Sequence, residues 1–171
     1  MDEDEFDALY NASYRRVCAQ VYAMIGDLDE AGECVQEAFA KAWAHRRRLG
    51  SLDHPEAWIR TTAYRMAVSR WRRKRYASRA ADRAVGLPTE APAIDENHVA
   101  LVHALKQLPE AQRQALVLHH IADLPVHQVA AEVGVPTGTI KARLSRGRTA
   151  LAELLADDLP GSTGALEGGM R

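Results

Sequence analysis

Between Thr137 and Ala150 the chain carries Lys141, Arg143, Arg146 and Arg148 and no acidic residue. At about 100° per residue, Ile140, Leu144, Gly147 and Leu151 fall on one side of a helix. Gly138, Ala142, Ser145 and Arg146 fall on the other, flanked by Thr139 and Lys141. Small side chains beside long cations suit a helix lying in the major groove of DNA. Ala142 and Ser145 permit close approach, and Lys141 and Arg146 reach guanine edges or phosphates. A second basic run, Arg70-Trp71-Arg72-Arg73-Lys74-Arg75-Tyr76, mixes cations with aromatics. A duplex asks for cations that replace condensed counterions, and unstacked bases ask in addition for flat side chains or pockets.

Other chemistries find weaker footing. His119 and Asp123 stand four apart, a metal-ligand spacing, with His120 and His127 close by in sequence. Pro125 breaks the helix before His127, however, and no Glu completes an HExxH arrangement. Neither a GxSxG nucleophile turn nor a phosphate-binding glycine loop occurs. No catalytic residue, metal or cofactor is therefore expected. Cys18 and Cys34 lack CxxC spacing and are expected as buried thiols in a reducing cytoplasm.

The composition agrees. The chain has 171 residues, 22 Lys+Arg against 23 Asp+Glu, and is 47% hydrophobic. No apolar run approaches the roughly 18–20 residues of a membrane span, so no membrane insertion is expected. The start, Met1-Asp2-Glu3-Asp4-Glu5, is acidic where a secretion signal would be basic and then apolar. The near-zero net charge conceals segregation. Residues 1–40 hold 2 basic and 10 acidic side chains, residues 41–83 hold 13 and 3, and residues 137–150 hold 4 and 0. A pI near neutrality therefore says nothing against nucleic-acid binding.

The elements that must position these residues read as helices throughout. Phe6, Leu9/Tyr10, Ser13, Val17, Val21 and Met24 mark one helical face, which Gly26 stops. Asp27 or Asp29 caps a second helix with Ala31, Val35, Ala38/Phe39, Ala42 and Trp43 as its apolar stripe. Pro55 opens a third, whose stripe is Trp58/Ile59, Thr62/Ala63 and Met66. Trp58 is expected in the core. From about Ala80 to Asn97, Gly86, Pro88 and Pro92 interrupt any stripe, as in a flexible linker.

Helical signal returns at Val99–Leu105 and from Pro109 to Ala122. Val126, Val129, Ala130 and Val133 then form a short helix, Gly134 supplies a left-handed turn, and Thr137 is expected to cap the basic helix that carries Lys141 to Arg148. That is a helix-turn-helix. The tail beyond Asp157 is glycine-rich and expected to fray. The fold class expected is all-α: two small helical domains joined by a flexible linker, with boundaries at 5–79, 80–97 and 98–155 and a tail at 156–171. Both cationic rows, Arg60–Arg75 and Lys141–Arg148, are expected outside any shared interior.

The order of parts carries a resemblance. An acidic helix with Val35-Gln36-Glu37-Ala38-Phe39 and Trp43 comes first, and Pro55-Glu56-Ala57-Trp58-Ile59 opens a basic helix. A linker follows, and Leu108-Pro109-Glu110 precedes the helix-turn-helix. Together these resemble the extracytoplasmic-function (group 4, sigma-70 family) sigma factors of bacterial RNA polymerase. The resemblance implies that the second helix docks on the polymerase β′ clamp through Glu33, Gln36, Glu37 and Lys41, and that the core's β flap is a further contact. It implies that Gly50–His54 receives a flipped base, and that Arg60, Arg65, Ser69, Arg72 and Arg73 face the −10 element. The last helix resembles the −35 reader, with Thr137, Gly138, Thr139, Lys141, Ala142, Ser145, Arg146 and Arg148 toward DNA. The implied partners are core polymerase, promoter DNA and an anti-sigma factor.

The chain departs from that pattern in two places. Gly32-Glu33-Cys34 stands where Glu-Asp-Leu is common, and Arg65 and Ser69 stand where Asn and Asp are frequent. The alternative of another class is a stand-alone regulator that binds a palindrome as a dimer through its helix-turn-helix.

Overall fold

A computed structural model describes residues 1–78 and 96–157. The expected linker falls almost wholly, and the expected tail largely, outside the described residues, as do the side chains of Trp71, Arg72, Lys74, Arg75 and Tyr76.

Helix α1 spans Glu3–Ile25. Asp2 caps it in a reciprocal box: the Asp2 carboxylate accepts from the Glu5 amide and the Glu5 carboxylate accepts from the Asp2 amide, each at 2.8 Å. Gly26 ends it at φ 70°, a left-handed conformation glycine adopts without penalty. Helix α2 (Leu28–Ala44) starts on Asp27, whose side chain accepts from the Glu30 amide. His45 breaks the chain into a short helix α3 (Arg46–Leu49). Helix α4 runs Pro55–Ser78.

These helices close on a core of Phe6, Val17, Val21, Ala31, Val35, Ala38, Phe39, Ile59, Ala63 and Ala67. Phe6 meets Phe39 and Trp43 edge-on. The stripes expected for α1 and α2 are largely the buried ones, but Leu9 and Trp43 are only half-buried and Tyr10 is exposed. On α4 the buried face is rotated from expectation. Ile59, Arg60, Ala63, Tyr64 and Ala67 are buried, while Trp58 and Met66 are half-buried at the margin of the core. The reason is that α4 is covered on a second side.

That second cover is the C-terminal half. Helix α5 (Glu96–Gln107) is followed by α6 (Glu110–Leu116), which widens into a π-helical turn over Val117–Ile121. Helix α7 spans Val126–Val133 and α8 spans Thr137–Asp157. Gly134, at φ 76°, makes the tight turn between them. The carbonyl of Pro136 accepts from the Thr139 and Ile140 amides, so Pro136 holds the position expected of Thr137, which is instead the first residue of the helix.

The two helical domains pack against each other. One core cluster joins Ala23, Met24 and Tyr64 of the first half to Val102, Leu105, Leu108, Leu116, Val117, Leu118, Val129, Ile140 and Leu144 of the second. Polar contacts frame it: Tyr64 donates to the Glu110 carboxylate at 2.8 Å, and Lys106 donates to the Gly26 carbonyl at 3.0 Å. On the apolar face of α1, Val17 and Val21 belong to the first core and Met24 to the second.

Candidate nucleic-acid and polymerase interface

The helix-turn-helix builds its outward face by burying the opposite one. Ile140 and Leu144 are buried, and Gly147 brings α8 close to α6: a Cβ there would lie 2.9 Å from Leu116 Cδ1 and 3.3 Å from Gln112 Cβ. With that register fixed, Thr137, Gly138, Lys141, Ser145, Arg146 and Arg148 are exposed, and Thr139 and Ala142 are half-buried. Lys141, Arg146 and Arg148 have no ion-pair partner among the described residues, so their charge is presented outward. The surface of α8 combines cations, hydroxyls and a small central residue, a donor-rich strip of the width a major groove admits.

The basic helix α4 divides its cations three ways. Arg65, Ser69 and Arg73 are exposed, and Arg73 Nε donates to the Ser69 carbonyl at 3.4 Å. Arg72 lies outside the described side chains. Arg60, by contrast, is 3% exposed and turned toward the second half. Its Nε donates to Glu132 Oε1 at 3.0 Å, its Nη2 to Glu132 Oε2 at 2.6 Å and its Nη1 to Gln20 Oε1 at 3.1 Å. Thr61 also donates to Glu132 Oε1, at 3.1 Å. Of the two cationic rows expected at the surface, Arg60 is thus drawn inside. Sequence periodicity carries no signal for this, because its partner sits 72 residues away.

Arg70 faces the third way. It reaches back over α2, where Nη1 lies 3.2 Å from Glu30 Oε1 and 3.1 Å from Glu33 Oε2, and Nη2 lies 2.6 Å from Glu37 Oε2. Lys41 Nζ is 3.0 Å from Glu37 Oε1. The Glu37 carboxyl is held below the usual range, first by its hydrogen bond to Lys41 and further by the charges of Lys41 and Arg70. Cys34 first, and then the Glu30 and Glu37 carboxylates, raise the proton affinity of Arg70. Burial pushes the Cys34 thiol up to about 11. Glu33, Gln36 and Lys41 remain exposed, so α2 offers an acidic face with one cation. The family resemblance does not point to Arg70 or Glu30. Their signal is the acid spacing of Glu30, Glu33 and Glu37 on one helical face.

A cleft of about 860 Å³ separates α4 from the helix-turn-helix. Its α4 wall carries Trp58, Thr62 and Arg65, and the opposite wall carries Asp123, Gln128 and Glu132. Gly50–His54, the loop expected to receive a base, is exposed throughout, and its Asp53 and His54 reach the cleft rim. The histidines serve locally: His119 Nδ1 is 2.8 Å from the Leu124 carbonyl, and its ring meets that of His120 at 4.6 Å. No cluster of three metal-ligating side chains occurs among the described residues. No helix among them is long and apolar enough to cross a membrane.

A helical first half with an acidic α2 face and a second half ending in an exposed cationic helix-turn-helix fit a transcription protein. Residues 9–76 match the family model of sigma-70 region 2, and residues 98–151 match that of sigma-70 region 4. The chain is 31% identical to the ECF RNA polymerase sigma factor SigK of Mycobacterium sp. (strain KMS), over 90% of this chain and 84% of that one. It is 25% identical to the ECF RNA polymerase sigma factor SigW of Bacillus subtilis (strain 168), over 91% of each. Among solved structures it is similar to the sigma factor RpoE in complex with the anti-sigma factor NepR from Bartonella quintana. The TM-score is 0.72 and the identity 26%, covering 91% of this chain and 99% of that one. The chain belongs to the extracytoplasmic-function family of RNA polymerase sigma factors. The alternative of a stand-alone dimeric regulator is not favoured, since the match runs through both halves.

Proposed function

We propose that this sigma factor directs core polymerase to promoters through a division of labour among three helices. Helix α2 docks on the β′ clamp with Glu33, Gln36, Glu37 and Lys41. Helix α4 meets the −10 element with Arg60, Arg65, Ser69, Arg72 and Arg73, and Gly50–His54 takes a flipped base. Helix α8 reads the −35 element with Thr137, Gly138, Thr139, Lys141, Ala142, Ser145, Arg146 and Arg148. The working units are 5–79 and 98–155, with 80–97 between them and 156–171 behind, and the β flap is a further contact of core enzyme. The protein acts by binding and carries out no chemistry of its own. The setting is the cytoplasm, and an anti-sigma protein is a further partner, as NepR is of RpoE.

The observation that carries the reading is the acid-free, outward-facing cationic strip of α8, held in register by Ile140, Leu144 and Gly147. Energetics explain why polymerase is required. Opening a duplex costs about 1.4 kcal/mol per base-pair step, and flipping a base costs a few kcal/mol more. Two small modules supply little of this alone. Tethering both to one enzyme lets weak contacts combine through effective concentration. Run-off transcription with core enzyme and promoter fragments is the test. Added protein should create start-site selectivity that core enzyme lacks, and unchanged selectivity would refute the reading.

A further inference from the structure

Among the described α4 residues proposed to face DNA, Arg60 is the one the second half covers, while Arg65, Ser69 and Arg73 stay exposed. The group Arg60 meets is the Glu132 carboxylate of α7, 11% exposed, bound fork to fork. Two parallel N–H···O bonds from a guanidinium are equally the geometry in which arginine holds a phosphate. Thr61 adds a hydroxyl donor to the same carboxylate, and Gln20 orients the guanidinium from α1. On the opposite flank of the helix-turn-helix, Lys141, Ser145, Arg146 and Arg148 remain exposed. Arg60 is therefore the buried one among the described residues proposed to face DNA.

We propose that Glu132 acts as an internal phosphate mimic that latches α7 over α4, so that the free sigma factor withholds Arg60 from the −10 element while its −35 helix stays open, and that docking on polymerase requires this latch to break. The inference rests on the functional reading above. A buried ion pair suits a latch, because its Coulombic gain is largely cancelled by desolvation and it fixes geometry without contributing much net stability. Both charges regain water when the halves part, and the freed guanidinium becomes available to DNA.

The test is arginine-specific labelling of the full-length protein with phenylglyoxal, read residue by residue by mass spectrometry, on the free protein and on holoenzyme. In the free protein Arg60 should react at least tenfold more slowly than Arg65. In Glu132→Gln, and in holoenzyme without DNA, the rate at Arg60 should rise at least severalfold while Arg73 is unchanged. A parallel measurement uses fluorescence anisotropy with a mixed-sequence single-stranded 12-mer, which Glu132→Gln should bind severalfold more tightly than the parent. Should Glu132→Gln lose its helical circular dichroism, the charge-reversed pair Arg60→Glu with Glu132→Arg takes its place. Restored protection of position 132 against the reagent then supports the latch, and free labelling there overturns it. Equal labelling of Arg60 and Arg65 in the free parent, or full protection of Arg60 in holoenzyme, overturns the proposal as well. Run-off transcription is measured on the same samples. Labelling that overturns the latch, with normal start-site selection, refutes this inference alone, whereas absent selection in every sample refutes the sigma reading itself.

Discussion

Two glycines in helices have opposite meanings. Gly32 lies inside α2 with open space where a Cβ would stand, so it contributes only backbone freedom to the unfolded chain. Gly32→Ala should stabilise the protein by up to about 1 kcal/mol. For a chain of this size that is about 2–4 °C in thermal midpoint. Gly147, in contact with Leu116 and Gln112, permits the α6–α8 approach. Gly147→Val should cost about 1–3 kcal/mol by overpacking, and should lower the midpoint in the same scan.

Two titrating groups give a further expectation. Burial, with the charges of His119 and Arg148, lowers the proton affinity of His120 below its ordinary value. The unfolded chain therefore binds the proton more readily, and stability falls as pH drops through about 6.5. Glu37, whose folded value is depressed, contributes stability above about pH 4.3 that is lost as pH falls through its lower folded value. Thermal midpoints measured from pH 8 to 4 should decline first near 6.5, and His120→Gln should remove that first decline.

At the scale of elements, α8 is expected to make two kinds of contact. Arg146, central on the exposed strip, should read a base: Arg146→Ala should cost about 1–3 kcal/mol and relax preference at one promoter position. Lys141→Ala should instead weaken holoenzyme binding evenly across sequences and reduce the salt slope by about 1 if it contacts phosphate. Competition footprinting over a −35 library at several salt concentrations distinguishes the two outcomes. Most of this element is legible in the residues alone. Its register follows from Ile140, Leu144 and Gly147, and its start from a turn glycine. The cap is the exception. Thr137 has the side chain of an N-cap, yet Pro136 precedes it and supplies the carbonyl that opens the helix. The end of α2 is harder to read, because nothing in Arg46-Arg47-Arg48 reveals that His45 interrupts the helix and begins a new turn.

At the scale of the whole molecule, sequence periodicity identifies which faces are apolar but not which faces meet. The α1 stripe through Val17, Val21 and Met24 is plain, but its division between two cores is not. Tyr64 and Arg60 fall off the expected α4 stripe, and the carboxylates they bond, Glu110 and Glu132, come from beyond residue 95. Long-range pairing of this kind leaves no local period to read. The charge blocks are visible from counting alone, and they anticipate the acidic α2 and the cationic α8. They do not anticipate that Arg70 binds three carboxylates of α2. The halves meet through polar as well as apolar contacts, so added salt should loosen them. Small-angle scattering of the free protein should show a larger radius of gyration at about 1 M than at about 0.1 M sodium chloride.

The bond from Lys106 to the Gly26 carbonyl bears on what happens when the halves separate. Helix α1 has no basic residue in its own last turn, so the cation that faces the negative end of its dipole is on loan from α5. Parting therefore strips α1 of a terminal counter-charge as well as uncovering Met24. Amides near Tyr22–Ile25 should lose their hydrogen-exchange protection in step with domain release, which makes the last turn of the first helix a built-in reporter of whether the molecule is folded back on itself.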